Sequence, residues 1–281
     1  MEGRVWTIVR SLLAAVQEHA DRELYSSRLI LMVGLWAILW DRPFCWACCA
    51  AHWPSSERPR RLPHPSTLSR RWRREQLQEV AEQVHQQALA RLPQDRDAAI
   101  DGKPMIVSDV SQDWDAMNGR GTRGMARGYK LHAVVTVSGV ICAFEVQPLN
   151  VNERRPAERL LTALPSWIHR VGADGNYDSA KLHRRLEHRG IRLYTPIMNG
   201  YAGPRTHRRR RLLKRIMEHP VGQRIKLRRD HIERCFARMG NVGFGLKGLP
   251  NWVRRLRRVT RWIRGKVLLY HAWLIAQRCA S

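Results

Sequence analysis

Apolar positions divide this chain of 281 residues into stretches of different period. Up to about residue 53 they fall at helical spacing, with Leu12, Leu13 and Val16 followed by the run Leu29 to Leu39. Pro54 to Pro65 then brings four prolines, two serines and the cluster Arg58, Arg60 and Arg61. No apolar face survives there, which marks a linker. Ser66 and Thr67 predict the cap of a helix beginning Leu68-Ser-Arg-Arg-Trp-Arg, and Glu75 to Leu92 predicts a second. This pair has the look of a helix-turn-helix module, whose early residues Ser69, Arg70, Arg71 and Arg73 would reach phosphates.

From Asp97 the period shortens to two. Ala98 to Val107 is an apolar run interrupted by Gly102 and Pro104, so a strand is expected to pass Asp101 and then kink or bulge. Tyr129, Leu131, Ala133, Val135 and Val137 alternate with Lys130, His132, Val134 and Thr136, and Ser138-Gly139 turns the chain back into Val140 to Val146 as a hairpin. Ser111 to Gly128, rich in Gly, Arg and Asp, is expected to be a mobile surface loop. A helix over Glu153 to Leu164, a strand Trp167 to Ala173, a helix capped by Ser179 and stopped at Gly190, and a strand Ile191 to Ile197 follow. Past the basic stretch Arg205 to Lys226, a helix from about Asp230 places Ile232, Cys235, Phe236 and Met239 on one side, and two basic helices, Trp252 to Ile263 and Lys266 to Gln277, close the chain. The order predicts a mixed α/β sheet flanked by helices over residues 96–281, preceded by a small all-helical N-terminal region over residues 1–95.

Charge narrows the partner. Fifty Lys and Arg against 24 Asp and Glu give a net +26 with a pI near 11.3, which calls for a polyanion. Residues 201–281 alone hold 22 basic and three acidic residues, a net of +19. The runs Arg208 to Arg211, Arg224 with Arg228-Arg229, and Arg254-Arg255 with Arg257-Arg258 therefore read as a DNA-tracking surface, while Trp252 and Trp262, at helical spacing, read as core. The most apolar run, Leu29 to Trp40, has 12 residues, against the roughly 20 of a spanning helix. Glu18, Asp21 and Glu23 before it exclude a signal peptide, so a cytosolic protein is expected. Cys142, Cys235 and Cys279 are isolated, which is no disulfide framework. Cys45, Cys48, Cys49 and His52 have the start of a zinc pattern but no second pair, and Trp46 and Trp53 flank them; small buried hydrophobes are the better reading.

With so few acids, their placement is informative. Phosphoryl transfer on DNA uses carboxylates that hold two metal ions about 3.5 to 4 Å apart. Asp101 lies in the first strand, Asp174 at the C-terminal end of another, where ligands of α/β sheets bind, and Glu233 one turn into a helix. By position alone each is equally a turn, cap or ion-pair carboxylate. Asp178, beside Ser179, reads as a helix cap, and Asp109, Asp113 and Asp115 fall on the strand exit and the loop.

Five segments bear on that choice: Ile100-Asp-Gly-Lys-Pro-Met, Gly128-Tyr-Lys-Leu-His, Pro148-Leu-Asn-Val-Asn-Glu, Ala173-Asp-Gly-Asn-Tyr-Asp and Arg229-Asp-His-Ile-Glu-Arg-Cys-Phe. In this order they closely resemble bacterial insertion-sequence transposases of the DDE type, from about Asp97 to the C-terminus and weakly before it. The resemblance implies an RNase-H-like catalytic core in which Asp101, Asp174 and Glu233 bind two Mg²⁺ or Mn²⁺ ions. It implies an enzyme that binds the ends of its element in double-stranded DNA, cleaves with metal-activated water and joins 3′-hydroxyl ends to target DNA. A homodimer in the synaptic complex and a cytoplasmic, nucleoid-associated protein go with it.

Such transposases often carry Tyr, Arg and Lys at −7, −4 and +7 from the Glu; here Lys226, Arg229 and Gly240 stand there, so only the Arg is kept. Arg229, with Lys226 and Lys247 as substitutes, is expected to grip DNA, and Arg70 and Arg71 to contact it from the N-terminal region. The missing Tyr and Lys support the alternative of a catalytically silent, transposase-derived DNA-binding protein. The 59-residue interval from Asp174 to Glu233 is basic and lacks the alternation of a large β insertion.

Overall fold

The computed structural model describes residues 2–17, 23–108, 110–196, 208–220, 222, 230–242 and 244–279. The chain forms two units: Met1–Leu92 with Val242–Leu246 and Arg261–Ser281, and Pro93–Asn241 with Lys247–Thr260.

The first unit is helical. Helix α1 (Glu2–Ala14) buries Val5, Trp6, Val9, Leu12 and Leu13, one stripe at helical spacing. Helix α2 (Ser27–Leu39), capped by Ser26 Oγ accepting from the Leu29 N–H at 3.2 Å, is buried nearly all round. Short α3 (Phe44–Ala47), α4 (Pro65–Arg71) and α5 (Glu75–Ala90) pack beside it. Proline occupies the first turn of α4, where its missing N–H costs nothing, and His64 caps it in place of Ser66 and Thr67, its ring accepting from the Ser66 N–H at 3.3 Å. Tryptophans fill the interior: Trp36 stacks on Trp53 at 4.5 Å and meets Trp6 edge-on at 4.8 Å. Gly34 lets the Trp72 ring lie against α2, since a Cβ there would stand 2.0 Å from it.

The second unit is built on a six-stranded sheet in the order β2-β3-β1-β5-β6, with β4 also paired to β3. These strands are β1 (Asp97–Ile106), β2 (Met117–Gly121), β3 (Gly124–Thr136), β4 (Ile141–Pro148), β5 (Arg170–Gly172) and β6 (Arg192–Tyr194). β1 runs antiparallel to β3 and parallel to β5, and β5 parallel to β6. Helices α6 (Arg154–Thr162) and α7 (Ala180–His188) cover one face through Leu160, Leu161, Leu182 and Leu186, packed on Ile100, Val134 and Leu193. After α8 (Arg208–Glu218), helix α9 (Asp230–Asn241) packs against β1 and β3 with Ile232, Cys235, Phe236 and Met239 buried, the stripe its sequence predicts. This is the RNase-H-like mixed α/β arrangement, preceded by N-terminal helices.

Four local expectations are corrected. β1 does not kink: it pairs with β3 from Ala98 to Ile106 without a break. The bonds Val107 N–H to Arg127 C=O (3.0 Å) and Val137 N–H to Asp97 C=O (3.3 Å) fix the ladder phase. Odd-numbered residues of β1 therefore bond β3, and Pro104 turns its nitrogen to the other edge, where β5 pairs only Asp97 to Ala99. The segment expected as a mobile loop contains β2, and Arg127 ties its start down, donating to the carbonyls of Ser111 (2.7 Å), Asp113 (2.7 Å) and Ala116 (2.9 Å). The two expected C-terminal helices are one, α10 (Leu256–Arg278). Gly265 in its middle, worth about 1 kcal/mol against helix, is required by Ile38, which a Cβ would meet at 2.4 Å. Finally, Ser179 alone caps α7, while Asp178 is buried against His183 Nε2 (3.3 Å) and accepts from the Thr195 hydroxyl (3.4 Å).

Candidate active site

Asp101 sits in the centre of the sheet, its backbone fixed by exchange of hydrogen bonds with Ala133 at an odd rung of the β1/β3 ladder. Its carboxylate Oδ1 accepts from the Gly102 N–H at 2.7 Å. Gly102, at an even rung, points that N–H to the edge facing β5, so the Asp101 side chain leans toward that edge. The parallel register pairs Ala98 with Val171 and Ala99 with Gly172. Two steps further on each strand stand Asp101 and Asp174, at matching positions just past the last paired rung. Asp174 is still extended there (φ −76°, ψ 175°), so period-two alternation puts both residues on the same face of the sheet.

Asp174 also caps a short 3₁₀ turn, Gly175–Tyr177, accepting from the Asn176 N–H at 2.9 Å. The Asn176 side-chain amide reaches Asp174 Oδ2 at 3.4 Å and Glu153 Oε2 at 3.5 Å, and Lys130 Nζ binds Glu153 Oε1 at 2.6 Å. An orienting chain from Lys130 through Glu153 and Asn176 to Asp174 results. All three lie inside the motif segments, which was the available signal, but the sequence attached no role to them.

Beside this chain on β3 lies His132, fully buried, with neither ring nitrogen hydrogen-bonded. Burial pushes its pKa down to about 4, with Glu153 and Glu145 opposing and Lys130 and Arg159 assisting, so the ring is neutral.

Helix α9 supplies the third acid. Lys103, two residues past Asp101 and on the same face, holds its Nζ 6.0 Å from the centre of the Phe236 ring, which places α9 over that face. Burial lowers the Lys103 pKa. Glu233 precedes Phe236 by three residues, nearly one turn, and is exposed. The structure thus brings the elements carrying all three acids to one face. It does not close their side chains into a cluster: among the described residues, no three His, Cys, Asp or Glu side chains are gathered closely enough to hold a metal ion. The donors themselves are carboxylate oxygens, the set that hard ions such as Mg²⁺ and Mn²⁺ prefer.

The remaining predicted residues separate. Lys226 and Arg229 lie outside the described residues, as does Asp109. Lys247 and Arg70 are exposed. Arg71 is corrected: it is buried, donating to the Tyr25 carbonyl (3.0 Å) and Ser27 Oγ (3.2 Å) and paired with Glu23, so its guanidinium does not face solvent. Asp113 is 1% exposed. Its Oδ2 accepts from Tyr129 OH (2.8 Å) and from the Arg255 N–H (3.0 Å). Asp115 Oδ2 accepts from the Leu256 N–H (2.8 Å), so both acids cap the start of α10. Trp262 is buried, whereas Trp252 is 42% exposed. His52 stacks on Trp46 at 4.6 Å and bonds its carbonyl at 2.8 Å, while Cys45 and Cys49 are exposed rather than buried. Desolvation raises the thiol of half-buried Cys48 to about 11.

A family model described as the transposase DDE domain matches residues 92–271, well over half of the chain. The chain belongs to the DDE transposase family. Comparison with curated proteins and with solved structures finds no match. The matched span begins just before β1 and covers every strand, so the sheet that aligns Asp101 with Asp174 belongs to the transposase domain itself. A role in DNA transposition follows, with DNA as the partner of this family and divalent metal as its usual cofactor. Among the described residues no helix of the transposase is long and apolar enough to cross a membrane.

Proposed function

We propose that this transposase cleaves DNA at the ends of its element and joins the freed 3′-hydroxyls to target DNA, with Asp101, Asp174 and Glu233 as the catalytic acids. The observation that carries this reading is the register match of Asp101 and Asp174 at neighbouring parallel strands, with the Glu233 helix over the same face. Two Mg²⁺ or Mn²⁺ ions held by these carboxylates would supply activation of the attacking oxygen and stabilisation of the leaving one.

The chain's own residues do the rest. The β1/β3 ladder holds the Asp101 backbone in place, and Asn176, Glu153 and Lys130 orient Asp174. Lys103 presents a cation on the Asp101 face, suited to a scissile phosphate. Arg229, Lys226 and Lys247 act as phosphate contacts, exposed Arg70 as one from the helical unit, whose role is binding of the element end. Pairing of two ends calls for a homodimer in the synaptic complex, in the cytoplasm at the nucleoid.

Cleavage of end-containing duplex DNA tests the reading. Activity should require Mg²⁺ or Mn²⁺, vanish in chelator, and fall on the order of 10³-fold in each of Asp101→Ala, Asp174→Ala and Glu233→Ala. Undiminished cleavage in those variants sinks it. The second reading, a catalytically silent DNA-binding protein, is favoured by Lys226 and Gly240 standing where Tyr and Lys are usual. It predicts DNA binding without cleavage under either metal.

A further inference from the structure

The two strands β2 and β3 begin as a ribbon that projects one kind of surface. Asn118 opposes Arg127 and Arg120 opposes Met125, so these four share one face, while Gly119, Gly121, Gly124 and Ala126 make the other. Arg123 stands in the turn. Arg120, Arg123 and Met125 are exposed, Met125 by 76%. Between Asp115 and Glu145 the chain has no acid at all.

The base of this ribbon is joined to a second basic element within the same unit. Arg127 locks the preceding segment, and that segment's Asp113 and Asp115 are both used to cap α10. Trp114 between them is 71% exposed, and the Arg255 guanidinium lies 4.3 Å from the centre of its ring. Arg254, Arg257 and Arg258 adjoin Arg255 in sequence and are all exposed. Ribbon, tryptophan and helix start thus belong to one unit and are tied together through Arg127 and the segment Ser111–Ala116. Together they carry six exposed arginines, of which only Arg255 faces a carboxylate among the described residues, Asp115 at 3.6 Å.

We propose that these elements form a docking surface for duplex DNA, with the ribbon seated in a groove and the arginines at the start of α10 on the flanking phosphates; the proposal rests on the transposase reading above. A two-stranded ribbon fits the width of the major groove. Arginine fans over exposed apolar side chains suit a polyanion that also offers stacked bases and sugars. A second copy of the chain is the poorer occupant. Under two-fold symmetry the same patch would meet itself, setting arginine against arginine with its nearby acids already engaged.

Binding of a labelled random-sequence duplex to the full chain, in chelator and across a salt series, tests this. Arg120→Ala/Arg123→Ala should lower the slope of log affinity against log salt by about two, and Arg120→Lys/Arg123→Lys should keep it. Trp114→Ala should weaken binding with the slope retained. An unchanged slope in the double alanine variant, with the wild type binding, overturns the proposal, as does a changed oligomeric state in sedimentation with DNA affinity intact. Absence of any wild-type binding overturns the transposase reading with it. Ribbon-dependent binding in a chain that never cleaves upholds the surface and defeats only the catalytic assignment.

Discussion

Arg71 and Lys266, in the helical unit, and Asp101 and Asp174, in the sheet unit, are charged groups held in fixed places, yet their surroundings differ. Arg71 is enclosed by Tyr25, Ser27 and Glu23. Lys266, also buried, donates to the Phe244 carbonyl at 2.7 Å and to Asp41 at 2.8 Å, its pKa pushed down by desolvation against the pull of Asp41. Both cations are consumed by architecture. The two aspartates are only half-buried, at the end of a parallel register, on a rim of β1 that no strand covers beyond Ala99 among the described residues. A charge enclosed by its own fold serves the architecture; one held at a rim is placed where the proposed chemistry needs it.

Three substitutions or conditions would break or sharpen this contrast. The largest effect is expected for Arg71→Ala, which leaves the Tyr25 carbonyl and the Ser27 hydroxyl without their donor and Glu23 with Arg74 alone, and should cost about 3 kcal/mol. Arg70→Ala, one residue away and exposed, should stay within about 0.5 kcal/mol. Urea unfolding of the pair measures both, and equal stabilities would erase the distinction between enclosed and open cations.

Acid titration of His132 comes next. Its folded pKa of about 4 lies below the ordinary 6.5, so the unfolded chain takes up the proton first. The stability it withholds from acid conditions is fully present above about pH 6.5 and lost as pH falls toward 4, a difference of about 3 kcal/mol from the 2.5-unit gap. His132→Phe should flatten that part of the stability profile, and a profile equally steep in the variant would refute the assignment.

The smallest effect tests the orienting chain. Glu153→Gln keeps the shape but removes the charge that Lys130 and Asn176 share, and should slow cleavage about 10- to 100-fold while leaving DNA affinity unchanged. A fall in affinity with the rate constant preserved would make Glu153 a binding residue instead.

Some of this was written locally in the chain. The β3/β4 hairpin follows from strict alternation and a Ser-Gly turn, and the buried stripe of α9 from residues three and four apart, because both signals lie within a dozen positions. The motif segments picked Asp101, Asp174 and Glu233 from the other acids, yet only the parallel register shows why the first two belong together. Asp113 escaped because its partner, the Arg255 amide, lies 142 residues away. Arg71 escaped for the same reason, its partners being on and before α2 rather than on its own helix. Gly102 and Pro104 misled in the opposite direction. Taken as punctuation they predict a kink, but the ladder phase makes proline harmless wherever its nitrogen faces away from the partner strand.

That same proline shapes what can lie along the rim of β1. An uncovered strand edge invites a strand from another molecule, because each outward N–H is an unused donor. Here two successive donors are withdrawn: the Gly102 N–H is taken by the Asp101 carboxylate, and Pro104 has none to give. The rim is thereby a selective one, poor at recruiting another polypeptide into aggregation, and Pro104→Val would restore the missing rung.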